Sequence, residues 1–116
     1  MNIVVSGLHL KNFPELEDYA RKKVAKFAKF YPKILKVDVR LIAKEAHRDQ
    51  DQDYICEIQV TIPGNTLEIN DNERSMDKAI DKAVERMQRL LTRTKEKKIS
   101  KMHKIGILNK IKSRFF

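Results

Sequence analysis

Two rows of basic side chains are the residues of this sequence whose types and spacing best suit a chemical task. The first row is Lys22, Lys26, Lys29 and Lys33, and the second is Lys82, Arg86, Arg89 and Arg93, which continues to Lys97. At about 100° per residue, each row forms one line along a helix. Arg can grip a phosphate with paired hydrogen bonds and Lys supplies point charge, so two such lines match the phosphates of a nucleic-acid backbone.

Each row lies about 120° around its helix from the apolar stripe, and we therefore expect neither row to point into the core. In the second helix the acids Asp77, Asp81 and Glu85 fall on the other flank, which predicts charges that are segregated rather than paired at i,i+4. Charge reversal of Arg86, Arg89 and Arg93 should then leave the fold intact. The alternative is that both rows are ordinary solvated helix faces.

The charge of the whole chain favours an anionic partner. The 116 residues include 25 Lys and Arg against 16 Asp and Glu, a net charge of +9. This excess favours nucleic acid first and an anionic membrane second. RNA is preferred to DNA, because the sequence has neither a helix-turn-helix nor a zinc finger, and cations presented by helices on a sheet suit shaped RNA.

The sequence also excludes several classes of protein. No apolar run approaches the roughly 18 residues that span a bilayer, and the N-terminus lacks the features of a signal peptide. The single cysteine, Cys56, cannot form an intramolecular disulfide and is predicted to be a small buried hydrophobe. We therefore expect a cytoplasmic protein.

Residues for catalysis are not grouped. His9, His47 and His103 share no ligand spacing with each other or with Cys56. The glycines are isolated, which excludes a phosphate-cradling loop, and no acids form a visibly buried pair. We expect no enzyme activity, no metal, no cofactor and no small-molecule substrate.

Helices and strands must position the two basic rows, and the sequence predicts six of these elements. Residues 2–10 are predicted to be a strand buried on much of both faces, and Pro14 opens a helix that runs to about Tyr31. Alternating strands surround Val39 and Ile58, and a tight turn at 63–65 leads into a short strand. Residues 44–53 are predicted to be a long mobile loop.

A long helix completes the domain. Ser75 is its predicted N-cap, and helical composition continues to about Lys98. The order β-α-β-β-β-α predicts an α+β fold: a two-layer sandwich with a four-stranded sheet and both helices on one face. We expect a domain over residues 1–98 and a basic tail over 99–116.

The tail carries five Lys or Arg and no acid. Three interpretations stay open: an arm that becomes ordered along RNA, a basic amphipathic segment that touches anionic membrane, or a solvated extension. Gly106 and Asn109 weaken the prediction of a continuous helix there.

At this point the chain resembles a known family, that of hibernation promoting factor and ribosome-associated inhibitor. The resemblance covers residues 1 to about 98. It depends on the element order, on Ala79-Ile80-Asp81 within residues 75–81 and on the basic residues that follow. The first helix also matches, through Lys23-Val24-Ala25-Lys26. Asp77 departs from the family pattern, which usually has an aromatic residue there, as does Leu90, where a polar residue is common.

The resemblance implies a fold like a double-stranded-RNA-binding domain and a short-form member of the family. It implies that the protein docks on rRNA of the small ribosomal subunit, in the channel for mRNA and the A- and P-site tRNAs, and stores the ribosome idle. Asp81 would position the helix start or a neighbouring base, or be a solvated acid. From the rows and the resemblance together, the predicted RNA-binding residues are Lys22, Lys23, Lys26, Lys29, Lys82, Arg86, Arg89, Arg93, Lys95 and Lys97. The alternative function is a general structured-RNA-binding module with a target outside the ribosome.

Overall fold

The computed structural model describes the backbone of residues 1–45 and 52–115, and within these the side chains of residues 1–44 and 53–97. The order of the elements follows the prediction, with one 3₁₀ helix (η1) added. They are β1 (Asn2–Leu8), α1 (Phe13–Val24), η1 (Ala25–Lys29), β2 (Lys36–Glu45), β3 (Gln52–Ile62), β4 (Asn65–Glu73) and α2 (Met76–Phe115).

The four strands form one mixed sheet in the order β1-β2-β3-β4. β1 is parallel to β2, whereas β2, β3 and β4 are antiparallel neighbours. A parallel pair needs a crossover connection, which α1 and η1 provide. At the centre of the sheet, Val39 lies opposite both Val5 and Ile58.

The core lies on one face of this sheet. Alternate residues of β2 and β3, such as Leu41 and Ile58, are fully buried there, and the next residues along each strand face outward. Both helices contribute to the same cluster, which confirms the predicted two-layer α+β fold. Its largest fully buried side chains are Phe27, Leu41, Ile58, Ile80, Met87 and Leu91.

Short sequence signals explain where the elements begin and turn. Pro14 lies in the first turn of α1, where its missing N–H is not needed. The Pro63–Gly64 turn joins β3 to β4, and Gly64 has a φ of 79°, which favours glycine. The carbonyl of Ser75 accepts the backbone N–H of Ala79, as expected of the residue that precedes α2.

The prediction that β1 is buried on much of both faces is wrong. Within β1 only Val5 is buried, while Val4 and Leu8 are 41% and 49% exposed. β1 is an edge strand, and the helices cover only one face of the sheet. Its β-branched composition therefore reflects strand formation rather than burial on both sides.

The first helix is shorter than predicted. α1 ends at Val24, η1 follows to Lys29, and Lys33 lies outside both. The first basic row is therefore not one α-helical line.

The predicted loop at 44–53 is also shorter, because Lys44 and Asp53 are paired across β2 and β3. The rest of that prediction, residues 46–51, lies outside the described residues.

At the other end, the backbone of α2 continues as one helix through Gly106 and Asn109, which did not interrupt it. The side chains of the tail lie outside the described residues. The division at residue 98 and the three interpretations of the tail therefore stay predictions.

The single cysteine gives a test of the core. Cys56 is fully buried beneath the helices, and desolvation raises the pKa of its thiol to about 12. Since the thiolate is the reactive form, Ellman's reagent at about pH 8 should label the folded protein at least about 100-fold more slowly than the unfolded chain. Rapid labelling under native conditions would contradict the described burial.

Candidate nucleic-acid interface

The two helices lie side by side and are joined by a polar cluster. The Tyr19 hydroxyl of α1 donates a short hydrogen bond to Asp81 of α2, and the Lys23 ammonium lies 3.5 Å from the same carboxylate oxygen. The Lys23 Nζ also lies 5.4 Å from the centre of the Tyr19 ring. The hydrogen bond to Asp81 raises the pKa of Tyr19, and the charge of Asp81 raises the pKa of Lys23. Asp81 and Lys23 therefore connect the helices.

Lys26 and Lys29 are the residues of the first row whose charges are most accessible to an anionic partner. Both are exposed and lie in η1, where three residues complete a turn and side chains at i and i+3 are aligned. Neither makes an ion pair with another residue whose side chain is described. Lys22, one turn earlier, pairs with Asp18 at 2.9 Å on an exposed surface, where such a pair contributes little to stability.

The start of the second row is held by acids of β4. Arg86 donates to Asp71 Oδ1 at 2.5 Å and to the backbone oxygen of Asn70 at 3.3 Å. Lys82 lies 3.3 Å from Glu73 and 4.0 Å from Asp71. The Asp71 side chain is only 4% exposed, whereas that of Arg86 is 48% exposed. These two cations therefore have a structural role at the edge of the sheet.

The side chains of the second row are exposed, as expected of a row that faces away from the core, but Arg86 is also tied to the sheet. Asp71 follows Leu67 and Ile69 in the inward alternation of β4, so its carboxylate enters the helix-facing side of the sheet. Arg86 is the partner that compensates this buried charge. The alternation was visible in the sequence and could have predicted an acid that needs a cation from α2.

The predicted segregation of charges on α2 is also wrong. Arg89 pairs with Glu85 at 2.5 Å, because residues four apart are neighbours on a helix. Arg93 and Lys97 are exposed and make no ion pair within the described part of the chain. Lys95 is exposed but lies about 200° around the helix from Arg93, and α2 therefore places it away from the row.

An open groove lies along α2 beside Phe30, the residue that follows η1, and was not predicted. It has a volume of about 650 Å³ and is called the interhelical groove below. Phe30, which follows η1, is partly exposed and forms its aromatic wall. The lining is completed by Glu85, Gln88, Arg89, Thr92 and Arg93.

Comparison with known proteins identifies the family. The model of the family described as "Sigma 54 modulation protein / S30EA ribosomal protein" matches residues 3–99. The chain belongs to this family. The resemblance inferred from Ala79-Ile80-Asp81 and the basic residues of α2 is thereby confirmed.

Individual proteins that are similar to this S30EA family member support the same assignment. The chain is 28% identical over 100 residues to a protein of Pseudomonas putida named ribosome hibernation promoting factor, covering 86% of this chain and 92% of that one. It is 28% identical to the Thermus thermophilus Protein Y N-terminal domain, with a TM-score of 0.67 over 81% of this chain and 99% of that domain. A ribosomal subunit interface protein from Coxiella burnetii, 18% identical, shares the fold with a TM-score of 0.67 over 83% and 99% of the two chains.

Stability measurements should separate the structural cations of this S30EA domain from the available ones. Arg86→Glu places a second carboxylate beside buried Asp71, and we expect it to lower the free energy of unfolding by about 3 kcal/mol or more. Arg93→Glu, on the same helix, should change it by about 0.5 kcal/mol or less. Urea denaturation measures both. Equal stability of the two variants would mean that Arg86 does not compensate Asp71.

Proposed function

We propose that this protein binds the ribosome and keeps it in an inactive, hibernating state. Its helical layer docks on rRNA of the small subunit in the decoding channel, where it occludes mRNA and the A- and P-site tRNAs. The observation that carries the proposal is an exposed basic surface on the helical layer of an S30EA family domain. Its freest cations are Lys26, Lys29, Arg93 and Lys97.

The charge distribution supports docking through the helices. Lys26 and Lys29 of η1 and Arg93 of α2 are exposed on the layer that covers the core, so their charges are available to phosphates. On the opposite face of the sheet, two cations are paired with acids: Arg40 lies 3.5 Å from Glu57 and Lys36 lies 3.4 Å from Asp38. A polyanion therefore gains more by meeting the helices than by meeting the open sheet.

The proposed mechanism is steric, and no bond is made or broken. Among the described residues, no group of three or more His, Cys, Asp or Glu could hold a metal. None of the described helices is long and apolar enough to cross a membrane. The proposal assigns neither an enzyme activity nor a cofactor to the domain, and it places the protein with ribosomes in the cytoplasm because a named relative is a ribosome hibernation promoting factor.

Co-sedimentation with ribosomes tests the site. The protein should migrate stoichiometrically with the small subunit or the whole ribosome, and tRNA bound beforehand in the A and P sites should reduce its binding because both occupy one channel. Binding that is insensitive to tRNA would place the protein elsewhere on the ribosome. A folded protein that binds structured RNA but not ribosomes would favour the alternative, a general RNA-binding module.

Charge reversal tests the binding face. The variant Lys26→Glu/Arg93→Glu changes two cations without described ion pairs, and we expect about tenfold or greater loss of ribosome affinity. If the wild type contacts about six to eight phosphates, the slope of log affinity against log salt is about −4 to −7, and the slope of the variant should be shallower by about 1 to 2.

The control variant, Lys36→Glu/Lys44→Glu, makes the same change in net charge on the open face of the sheet. Equal losses in the two variants would mean that only net charge matters and would contradict docking through the helices.

A further inference from the structure

The aromatic wall of the interhelical groove lies directly after η1. The backbone N–H of Phe30 donates to the carbonyl of Phe27 at 2.9 Å, which closes a three-residue turn. Side chains three residues apart are aligned in such a turn. Phe27 is fully buried, and Phe30 follows it on the same side but remains partly exposed. An aromatic ring therefore lies at the boundary between the core and the basic surface.

The rest of the groove combines charge with hydrogen-bonding groups. Arg93 is exposed at the groove without an ion pair among the described residues, so it is available to a phosphate. Gln88 offers both an amide donor and a carbonyl acceptor. Glu85 accepts from Arg89 through Oε1, which leaves Oε2 to accept a hydrogen bond from a ligand.

These groups match the parts of a nucleotide. An aromatic side chain stacks on a base, an amide or carboxylate reads the base edge, and an arginine holds the neighbouring phosphate. The groove is open to solvent, and its volume of about 650 Å³ leaves room for one nucleotide on the surface. An A-form duplex does not fit this arrangement, because its bases are stacked on one another and present no free face to Phe30.

We infer that the interhelical groove binds one unstacked nucleotide of single-stranded RNA, with the base against Phe30 and the flanking phosphate at Arg93. Ionised Glu85 can only accept hydrogen bonds, so it can pair with the exocyclic amine of cytosine or with the N3–H of uracil, while Gln88 can donate to the neighbouring acceptor of either base. This inference rests on the proposed function and deepens it. It adds recognition of an unpaired base to a surface otherwise suited to the phosphate backbone.

Fluorescence anisotropy with three labelled RNAs tests the inference: a cytidine decamer, a uridine decamer and a blunt duplex. Phe30→Leu should weaken binding of the cytidine decamer by about fivefold or more, the lower end of the loss of one stacked base, and leave duplex binding unchanged. Phe30→Tyr keeps the stacking face and should retain wild-type affinity. Phe13→Leu, a partly buried phenylalanine at the far end of α1, is the matched control and should behave as wild type.

A second variant tests the reading of the base edge and does not depend on repacking near the core. Glu85→Gln replaces an acceptor-only carboxylate with an amide that can also donate to uracil, so the ratio of the affinities for the cytidine and uridine decamers should shift toward uridine by about fivefold or more. Equal affinities of wild type and Phe30→Leu for the cytidine decamer would overturn the inference, as would loss of duplex binding in parallel with single-strand binding.

The same variants distinguish this inference from the proposed function. If the wild type and Phe30→Leu both sediment with ribosomes and also bind the decamers equally, the groove inference fails while ribosome binding stands. If the wild type binds the cytidine decamer through Phe30 but does not sediment with ribosomes, the proposed function fails and the nucleotide site stands.

Discussion

Burial of a single face of the sheet is the constraint on which the rest of this structure depends. Because β2 and β3 alternate, only the side that carries Leu41 and Ile58 is apolar, and both helices must cover it. Once both helices lie in one layer, their outward surfaces face the same side of the molecule. The concentration of available cations there is thus a consequence of how the core is built, whereas Lys36 and Arg40 on the open face of the sheet are paired with acids.

That layer is divided between cations that hold the protein together and cations that are free to bind. Arg86 and Lys82 compensate the buried or partly buried acids of β4, and Lys23 joins the helices through Asp81. In the first basic row the available cations begin where α1 gives way to η1, and in the second row they begin beyond Arg89. The paired cations therefore hold the helices against each other and against β4. The exposed cations farther along η1 and α2 present positive charge at regular spacing.

The sequence was sufficient for the fold, because element order and apolar alternation are local signals that tertiary packing preserved. It also located the basic residues, since helical spacing can be counted along the chain. It could not give the partners of those residues. Whether Arg86 is free depends on Asp71, which is 15 residues away in sequence and reaches α2 only when β4 lies beneath the helix. The switch to 3₁₀ geometry at Ala25 has no strong composition signal, and the position of Phe30 could not be predicted without it. The burial of β1 could not be predicted from composition either. β-Branched residues favour edge strands and central strands alike, so they do not show which kind of strand β1 is.

The parallel pairing of β1 has a consequence for how the chain assembles. β2, β3 and β4 are joined by short connections and can pair soon after they are made, whereas Asn2 finds its partner at Lys36 only after the intervening helices have formed a crossover. Closure of a long loop carries an entropic cost that local hairpins avoid. β1 therefore has a larger cost of loop closure than the other strands, and we expect it to enter the sheet after the three-stranded antiparallel unit, which is the template on which it docks.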